Sequence, residues 1–213
     1  SARAAAILGF SIFAKETVYA LNEDMSINND LVERFVKKNG SNKNIIFGLT
    51  SFIWEKLIEN VDFANRNYNF SNSILLHGGG WKKLEKKKIS NKRFKKDIER
   101  KYRIKNVINY YGMIEQTGTI FFECPKCENF VTSIFSDIII RDKYLNDVGK
   151  NKKGLVQLLS VLPTSYPGHN ILTEDIGIIN GEDNCPCGKK GKRFKIFGRL
   201  EKSEVRGCSD AIS

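Results

Sequence analysis

The stretch Tyr110-Tyr111-Gly112-Met113-Ile114-Glu115-Gln116-Thr117-Gly118 puts an aromatic face, a carboxylate, an amide and bare backbone at the end of one short apolar run. Asn106 to Tyr110 reads as a strand, and the glycines that follow allow a tight turn. These groups therefore gather at one edge of a sheet, where open sheets commonly hold nucleotides. His77-Gly78-Gly79-Gly80 closes a second apolar run, Ile74 to Leu76, with backbone that a ligand can approach closely. Four of the five cysteines form two tight pairs, Cys124-Pro-Lys-Cys127 and Cys185-Pro-Cys187-Gly188. Such knuckles let two thiolates face one ion. The 57 residues between the pairs exceed the usual zinc-ribbon interval, so one Cys₄ zinc site and disulfides both fit the spacing. Nothing indicates an oxidising compartment, which favours zinc in a closed, structural site. Cys208 is the fifth. Arg206 beside it would lower its thiol pKa, yet on the residues alone it reads as a passive, partly buried cysteine.

The elements that must position these groups alternate in the first half. Thr17 to Leu21 reads as a strand. A helix follows near Asp30 to Lys38, capped by Asn28 or Asn29 and stopped by Gly40. Ile45 to Gly48 reads as a buried strand, and Thr50 or Ser51 caps a helix carrying Phe52, Ile53, Trp54, Leu57 and Ile58. Asp62 to Ser73 is expected to be a polar loop. The strand to Gly78, a basic helix and the strand to Tyr111 complete an α/β pattern. After Gly118 the runs are short and β-like: 119–124, 130–135, 137–141, 155–162, 171–179 and 193–197. Two regions are expected, an α/β one over 1–118 and a mostly β one over 119–213.

The chain has 213 residues, 41% of them apolar, enough for a buried core, and a net charge of +11. The charge is local. Lys82 to Lys105 holds thirteen Lys/Arg against Glu85, Asp97 and Glu99, a net +10, which leaves +1 for all the rest. Phe94, Ile98 and Tyr102 recur every four residues, marking the apolar stripe of a helix whose other faces are solvated, a reading preferred to a nucleic-acid site. No apolar run is long enough to span a membrane. Ala4 to Ala14 reads as a buried helix or strand in preference to a signal-peptide core. A cytoplasmic protein is expected.

The strings HGGGWKKLE, YYGMIEQTG, SYPGHNILTEDIG and GRLEKSEVRGCSD resemble those of the acyl-protein synthetase family, which includes the synthetase subunit of the fatty acid reductase of bacterial bioluminescence. Tyr111 to Glu115 is similar to the Tyr-Gly-x-Thr-Glu signature of adenylate-forming ligases. The resemblance runs from about Ile45 to the end. It implies the C-terminal part of an adenylate-forming ligase core, with ATP and Mg²⁺ used to convert a fatty acid to an acyl-adenylate. By resemblance Glu115 helps hold Mg²⁺, Tyr111 packs on adenine with Gly112 beside it, and Gly78, Gly79 and Gly80 line the other side. Asp175 binds the ribose hydroxyls, Arg199 reaches ribose or phosphate, and Cys208 takes the acyl group. His77 and His169 stand near these motifs. The family also implies an acyl-accepting or reductase partner protein. Ile114 departs from the family's phosphate-binding threonine, so Thr117 or another group must substitute. The Ser/Thr/Gly-rich phosphate loop is expected upstream of residue 1, which makes the chain a C-terminal portion unable to adenylate alone. Two other readings fit: an acyl- or aryl-CoA ligase of the phenylacetate type, and a non-enzymatic zinc-stabilised basic binding module.

Overall fold

The structure, a computed structural model, describes residues 2–66, 68–81, 84 and 87–200. By packing, the chain divides into two compact units. One is Ala6–Asn109; the other runs from Tyr110 onward and includes the first five residues. The division falls within one strand, where the sequence places a boundary after Gly118.

In the first unit the elements are α1 (Ala2–Ser11, shared with the second), α2 (Asn29–Asn39), β1 (Asn44–Leu49), α3 (Thr50–Ile53), α4 (Val61–Ala64), β2 (Ser73–Gly78), α5 (Asn91–Tyr102) and the start of β3 (Asn106–Gly112). β1 and β2 pair in parallel from Asn44↔Ser73 to Leu49↔Gly78, and β3 follows in the strand order. A parallel pair needs a crossover, and α3, a π-helical stretch (Trp54–Glu59) and α4 supply it. The Asn28 side chain caps α2 by accepting the Leu31 N–H at 3.0 Å. Ser90 caps α5 by accepting the Arg93 N–H at 3.2 Å. Phe94, Ile98 and Tyr102 bury the inner stripe of α5 against Trp54, Trp81 and Ile53. Each such side chain contributes about 1.5–3 kcal/mol. The π-helical stretch ends in carbonyls without intrahelical partners. Tyr102 donates its hydroxyl to the Leu57 carbonyl, and Lys101 Nζ donates to that of Ile58 at 3.1 Å.

The second unit is β-rich, as its turn-punctuated sequence predicts. The last residues of β3 pair antiparallel with β4 (Ile120–Phe122). A five-stranded antiparallel sheet has the order β5-β9-β8-β7-β6, with β5 (Phe130–Val131), β6 (Ser136–Arg141), β7 (Lys153–Ser160), β8 (Asn170–Glu182) and β9 (Lys192–Arg199). Its core is Phe121, Ile138, Ile140, Val156, Leu158 and Phe194, all at most 1% exposed.

Four local expectations fail. Thr17 to Leu21 is no strand: it has only an isolated bridge, Leu21 to Ile27, across the Asn22–Ser26 turn, and no neighbouring strand. The apolar start is helical but not buried, with Leu8 63%, Ile12 77% and Phe13 76% exposed. Asp62 to Ser73 opens as the helix α4, because Asn60 accepts the Phe63 N–H at 3.0 Å and caps it. The run 130–135 stops pairing after Val131, where the Ser133 and Ser136 side chains form a turn and leave Ile134 at the surface.

Candidate functional site

β3, β8 and β9 bring Tyr111, Asp175 and Arg199 together in the second unit. The Tyr111 hydroxyl donates to Asp175 Oδ2 at 2.6 Å, and Arg199 Nε lies 4.0 Å from Asp175 Oδ1. Asp175 and Arg199 are cross-strand partners. A bulge aims the carboxylate: Leu155 pairs Ile176 and Gln157 pairs Leu172, so Thr173, Glu174 and Asp175 stand opposite Val156 alone. Buried Thr173 fastens the bulge, donating to the Val156 carbonyl at 2.8 Å and accepting the Asp175 N–H at 3.1 Å. The Tyr111 ring packs among Phe121, Phe130 and Phe194, with centroids 5.9–6.3 Å away. Burial, and then the Asp175 charge, push its hydroxyl well above the usual tyrosine range, so at neutral pH it remains a donor. The Asp175 and Arg199 side chains are 18% and 44% exposed, so the charged end of the cluster meets solvent.

Gly112 ends β3 opposite Ile120, where a Cβ would come within 3.2 Å of the Thr119 carbonyl. Glu115 follows in the 3-10 turn Ile114–Gln116 and is exposed. The turn is anchored on Gly168 and Tyr166, partners that the sequence reading passed over. Buried Gln116 donates to the Gly168 carbonyl at 2.9 Å, and the Thr117 N–H donates to the Tyr166 hydroxyl at 2.8 Å. Both anchors lie in the strings YYGMIEQTG and SYPGHN, and their joint appearance is the signal that would have found them. The Thr117 hydroxyl donates to the Ile114 carbonyl at 2.8 Å, which leaves it only an acceptor role toward a ligand. His169 is exposed.

Gly78, Gly79 and Gly80 lie in the first unit, at the end of β2. Gly79 and Gly80 have φ of 79° and 66°, and a Cβ on Gly79 would come within 3.0 Å of Leu49 Cδ2. Behind them Thr50 Oγ1 donates to the Gly78 carbonyl at 3.0 Å and lies 3.0 Å from His77 Nδ1. The single hydroxyl hydrogen goes to the carbonyl, so Nδ1 carries the proton and donates to Thr50. His77 is 2% exposed and stacks on Phe94 at 4.5 Å. Burial and nearby Lys95 lower its pKa to about 3, so the ring is neutral.

The four cysteines meet although 57 residues separate the pairs. Cys185 Sγ lies 3.0 Å from Cys187 Sγ, 3.4 Å from Cys124 Sγ and 3.6 Å from Cys127 Sγ. All four are free thiols. The Gly188 N–H donates to the Cys185 carbonyl at 2.9 Å, and the Glu128 N–H to that of Cys124 at 2.8 Å, closing the two knuckles. Cys124, Cys185 and Cys187 alone already form a group able to hold an ion. A tetrahedral ion with bonds of about 2.3 Å sets its sulfurs roughly 3.8 Å apart, which this donor set fits with small adjustment. Cys208 lies outside the described residues. Among the described residues no helix is long and apolar enough to cross a membrane.

The family described as "Acyl-protein synthetase, LuxE" matches residues 1–213. No curated protein matches by sequence. Many solved structures match by fold. A 2-hydroxyisobutyryl-CoA ligase in complex with 2-HIB-AMP and CoA has 19% identity and a TM-score of 0.59 over 82% of this chain and 38% of its own. The amide bond synthetase McbA from Marinactinospora thermotolerans has 14% identity and a TM-score of 0.55 over 83% and 35%. ATP-bound MatB from Rhodopseudomonas palustris has 12% identity and a TM-score of 0.52 over 80% and 33%. The likeness establishes an adenylate-forming ligase fold, and the chain spans little more than a third of the length of these proteins.

Proposed function

The chain belongs to the acyl-protein synthetase family, and from that premise we propose that its protein activates a fatty acid with ATP and passes the acyl group to a cysteine. A carboxylate does not acylate a thiol directly, because oxide would have to leave. A carboxylate oxygen instead attacks the α-phosphorus of ATP; the new O–P bond forms as the bond to pyrophosphate breaks. A thiolate then attacks the acyl carbon, the C–S bond forms, and AMP leaves. The observation that carries this reading is the Tyr111–Asp175–Arg199 cluster, where a buried donor and a cation hold a partly exposed carboxylate.

In this reading Asp175 accepts the ribose hydroxyls on its remaining lone pairs. Tyr111 and Arg199 fix its orientation, and Arg199 faces the negative charge of the nucleotide. The exposed Glu115 carboxylate suits a Mg²⁺ ion, which would offset the repulsion between substrate carboxylate and polyphosphate. Cys208 is the acyl acceptor. Cys124, Cys127, Cys185 and Cys187 hold a structural zinc ion that ties the β4–β5 turn to the β8–β9 loop.

The test uses the full-length protein with ATP, Mg²⁺ and radiolabelled fatty acid. Wild type should acquire label that hydroxylamine releases. Cys208→Ser should lose the label and keep fatty-acid-dependent pyrophosphate exchange. Glu115→Ala should lose both, with exchange lowered about 10²–10³-fold. Normal labelling of Cys208→Ser, or efficient transfer to free CoA, would instead select the acyl-CoA ligase reading.

A further inference from the structure

Glu115, the carboxylate that the reading above gives to the metal ion, sits in a turn too short to place it. The 3-10 segment Ile114–Gln116 is a single turn, and such turns have poor internal hydrogen-bond geometry. The backbone closes on itself through the Gln116 N–H to the Met113 carbonyl and the Thr119 N–H to the Gln116 carbonyl, both at 3.1 Å. The remaining support comes from the end of β7 and from the loop that follows it, 161–169. Thr119 Oγ1 donates to Ser160 Oγ at 2.6 Å, Gln116 Nε2 to the Gly168 carbonyl at 2.9 Å, and the Thr117 N–H to the Tyr166 hydroxyl at 2.8 Å.

These ties are of two kinds. Gln116, Thr119 and Ser160 are buried, so their bonds belong to the packed interior, where a missing partner would unsettle the fold. Thr117 and Tyr166 are both exposed. Water competes for a bond at the surface, so this one adds little to stability. It is nevertheless closely built. The Gly168 N–H donates to the Tyr166 carbonyl at 2.8 Å, closing a three-residue turn that folds the ring back onto Gly168. A Cβ at 168 would collide with that ring and come within 2.8 Å of the Glu115 carbonyl oxygen. The absence of a side chain there lets the ring and the Glu115 backbone close on the same glycine.

The same loop runs directly into β8, whose bulge carries Asp175. A shift between loop and turn would therefore change the spacing of the two carboxylates. We propose that Tyr166 is a positioning residue for Glu115: by accepting the Thr117 N–H it fixes the turn relative to β8, so that the metal-binding and ribose-binding carboxylates keep one spacing. The proposal rests on the reading above in which Glu115 holds Mg²⁺, and it needs no contact between Tyr166 and the nucleotide. Groups that orient a metal-binding side chain from behind act on metal affinity, and their loss is felt there before it is felt in the fold.

The experiment uses the full-length protein and Tyr166→Phe, which keeps the ring and removes the acceptor. Mn²⁺ binding to the ATP complex is followed by water-proton relaxation, and fatty-acid-dependent pyrophosphate exchange is titrated with Mg²⁺. The Mn²⁺ dissociation constant and the Mg²⁺ half-saturation point should both rise about tenfold. Exchange at saturating Mg²⁺ should return to within about twofold of wild type, because the altered step is metal binding. The melting temperature should fall by no more than about 4 °C. Unchanged metal constants overturn the proposal. So does a loss of exchange that saturating Mg²⁺ does not restore, which would put Tyr166 on the nucleotide or in the fold. Glu115→Ala separates the two readings. If it binds Mn²⁺ as wild type does, the metal reading fails and this proposal with it; if it weakens Mn²⁺ binding while Tyr166→Phe does not, this proposal alone fails.

Discussion

His77 in the first unit and Tyr111 in the second each make a side-chain hydrogen bond, and the two behave differently. In the first, neutral His77 donates to Thr50, and Thr50 donates to the Gly78 carbonyl. That chain of bonds ends on backbone and carries no charge. In the second, Tyr111 donates to Asp175, which lies beside Arg199, and that chain ends in two ionic groups reaching solvent. A neutral relay that ends on backbone stiffens the fold. An open charged one can exchange solvent for a ligand. The difference supports the ribose site proposed at Asp175, and the His77–Thr50 pair braces the glycine turn from behind.

The largest test of this contrast removes the support beneath the second unit. The β8–β9 hairpin carries Asp175 and Arg199 near one end and the Cys185 knuckle in its loop. Structural zinc contributes about 10 kcal/mol or more in small zinc peptides, so chelation, or Cys124→Ser with Cys185→Ser, should unfold this unit. Circular dichroism should report loss of β structure with about one zinc released per chain. Unchanged spectra, or no zinc by elemental analysis, would show that the sheet holds the site unaided.

A smaller effect concerns the first unit. The unfolded chain protonates His77 near pH 6.5, the folded one only near 3. The unfolded state therefore binds more protons across that window, and stability falls as pH drops below 6.5. Urea unfolding at pH 5 should show about 2 kcal/mol less stability than at pH 7.5 from this group, and His77→Phe should flatten that slope. A slope unaltered by the substitution would remove His77 from the comparison as a neutral relay.

The smallest effect is Tyr111→Phe. It deletes the hydroxyl but leaves the ring among Phe121, Phe130 and Phe194. A bond to a charged group contributes about 1.5–3 kcal/mol, and solvent reaches Asp175, so about 1.5 kcal/mol should be lost. If Asp175 binds the nucleotide, ATP affinity in the full-length protein should weaken by about tenfold through misorientation of the carboxylate. Stability lost with ATP affinity retained would make the pair structural, like its counterpart in the first unit.

Much of this was legible in order along the chain. The stripe of Phe94, Ile98 and Tyr102, the Asn28 cap and the alternation of strand and helix before Gly118 depend on neighbours within a turn or two, and sequence carries such local physics directly. The motif strings carried the family. The failures at Thr17–Leu21 and at residues 130–135 arose where β character needs a partner strand, which no local pattern reveals. Tertiary structure alone decided which polar groups are satisfied and which remain available. The bulge that turns Asp175 toward Tyr111 depends on the register between β7 and β8, set by how their apolar faces pack. The meeting of four thiols depends on the same sheet closing a 57-residue interval. Residue types and spacing specified the chemistry this protein can perform, and long-range strand pairing decided which of those residues meet, because contact across a sheet depends on register and not on nearness in sequence.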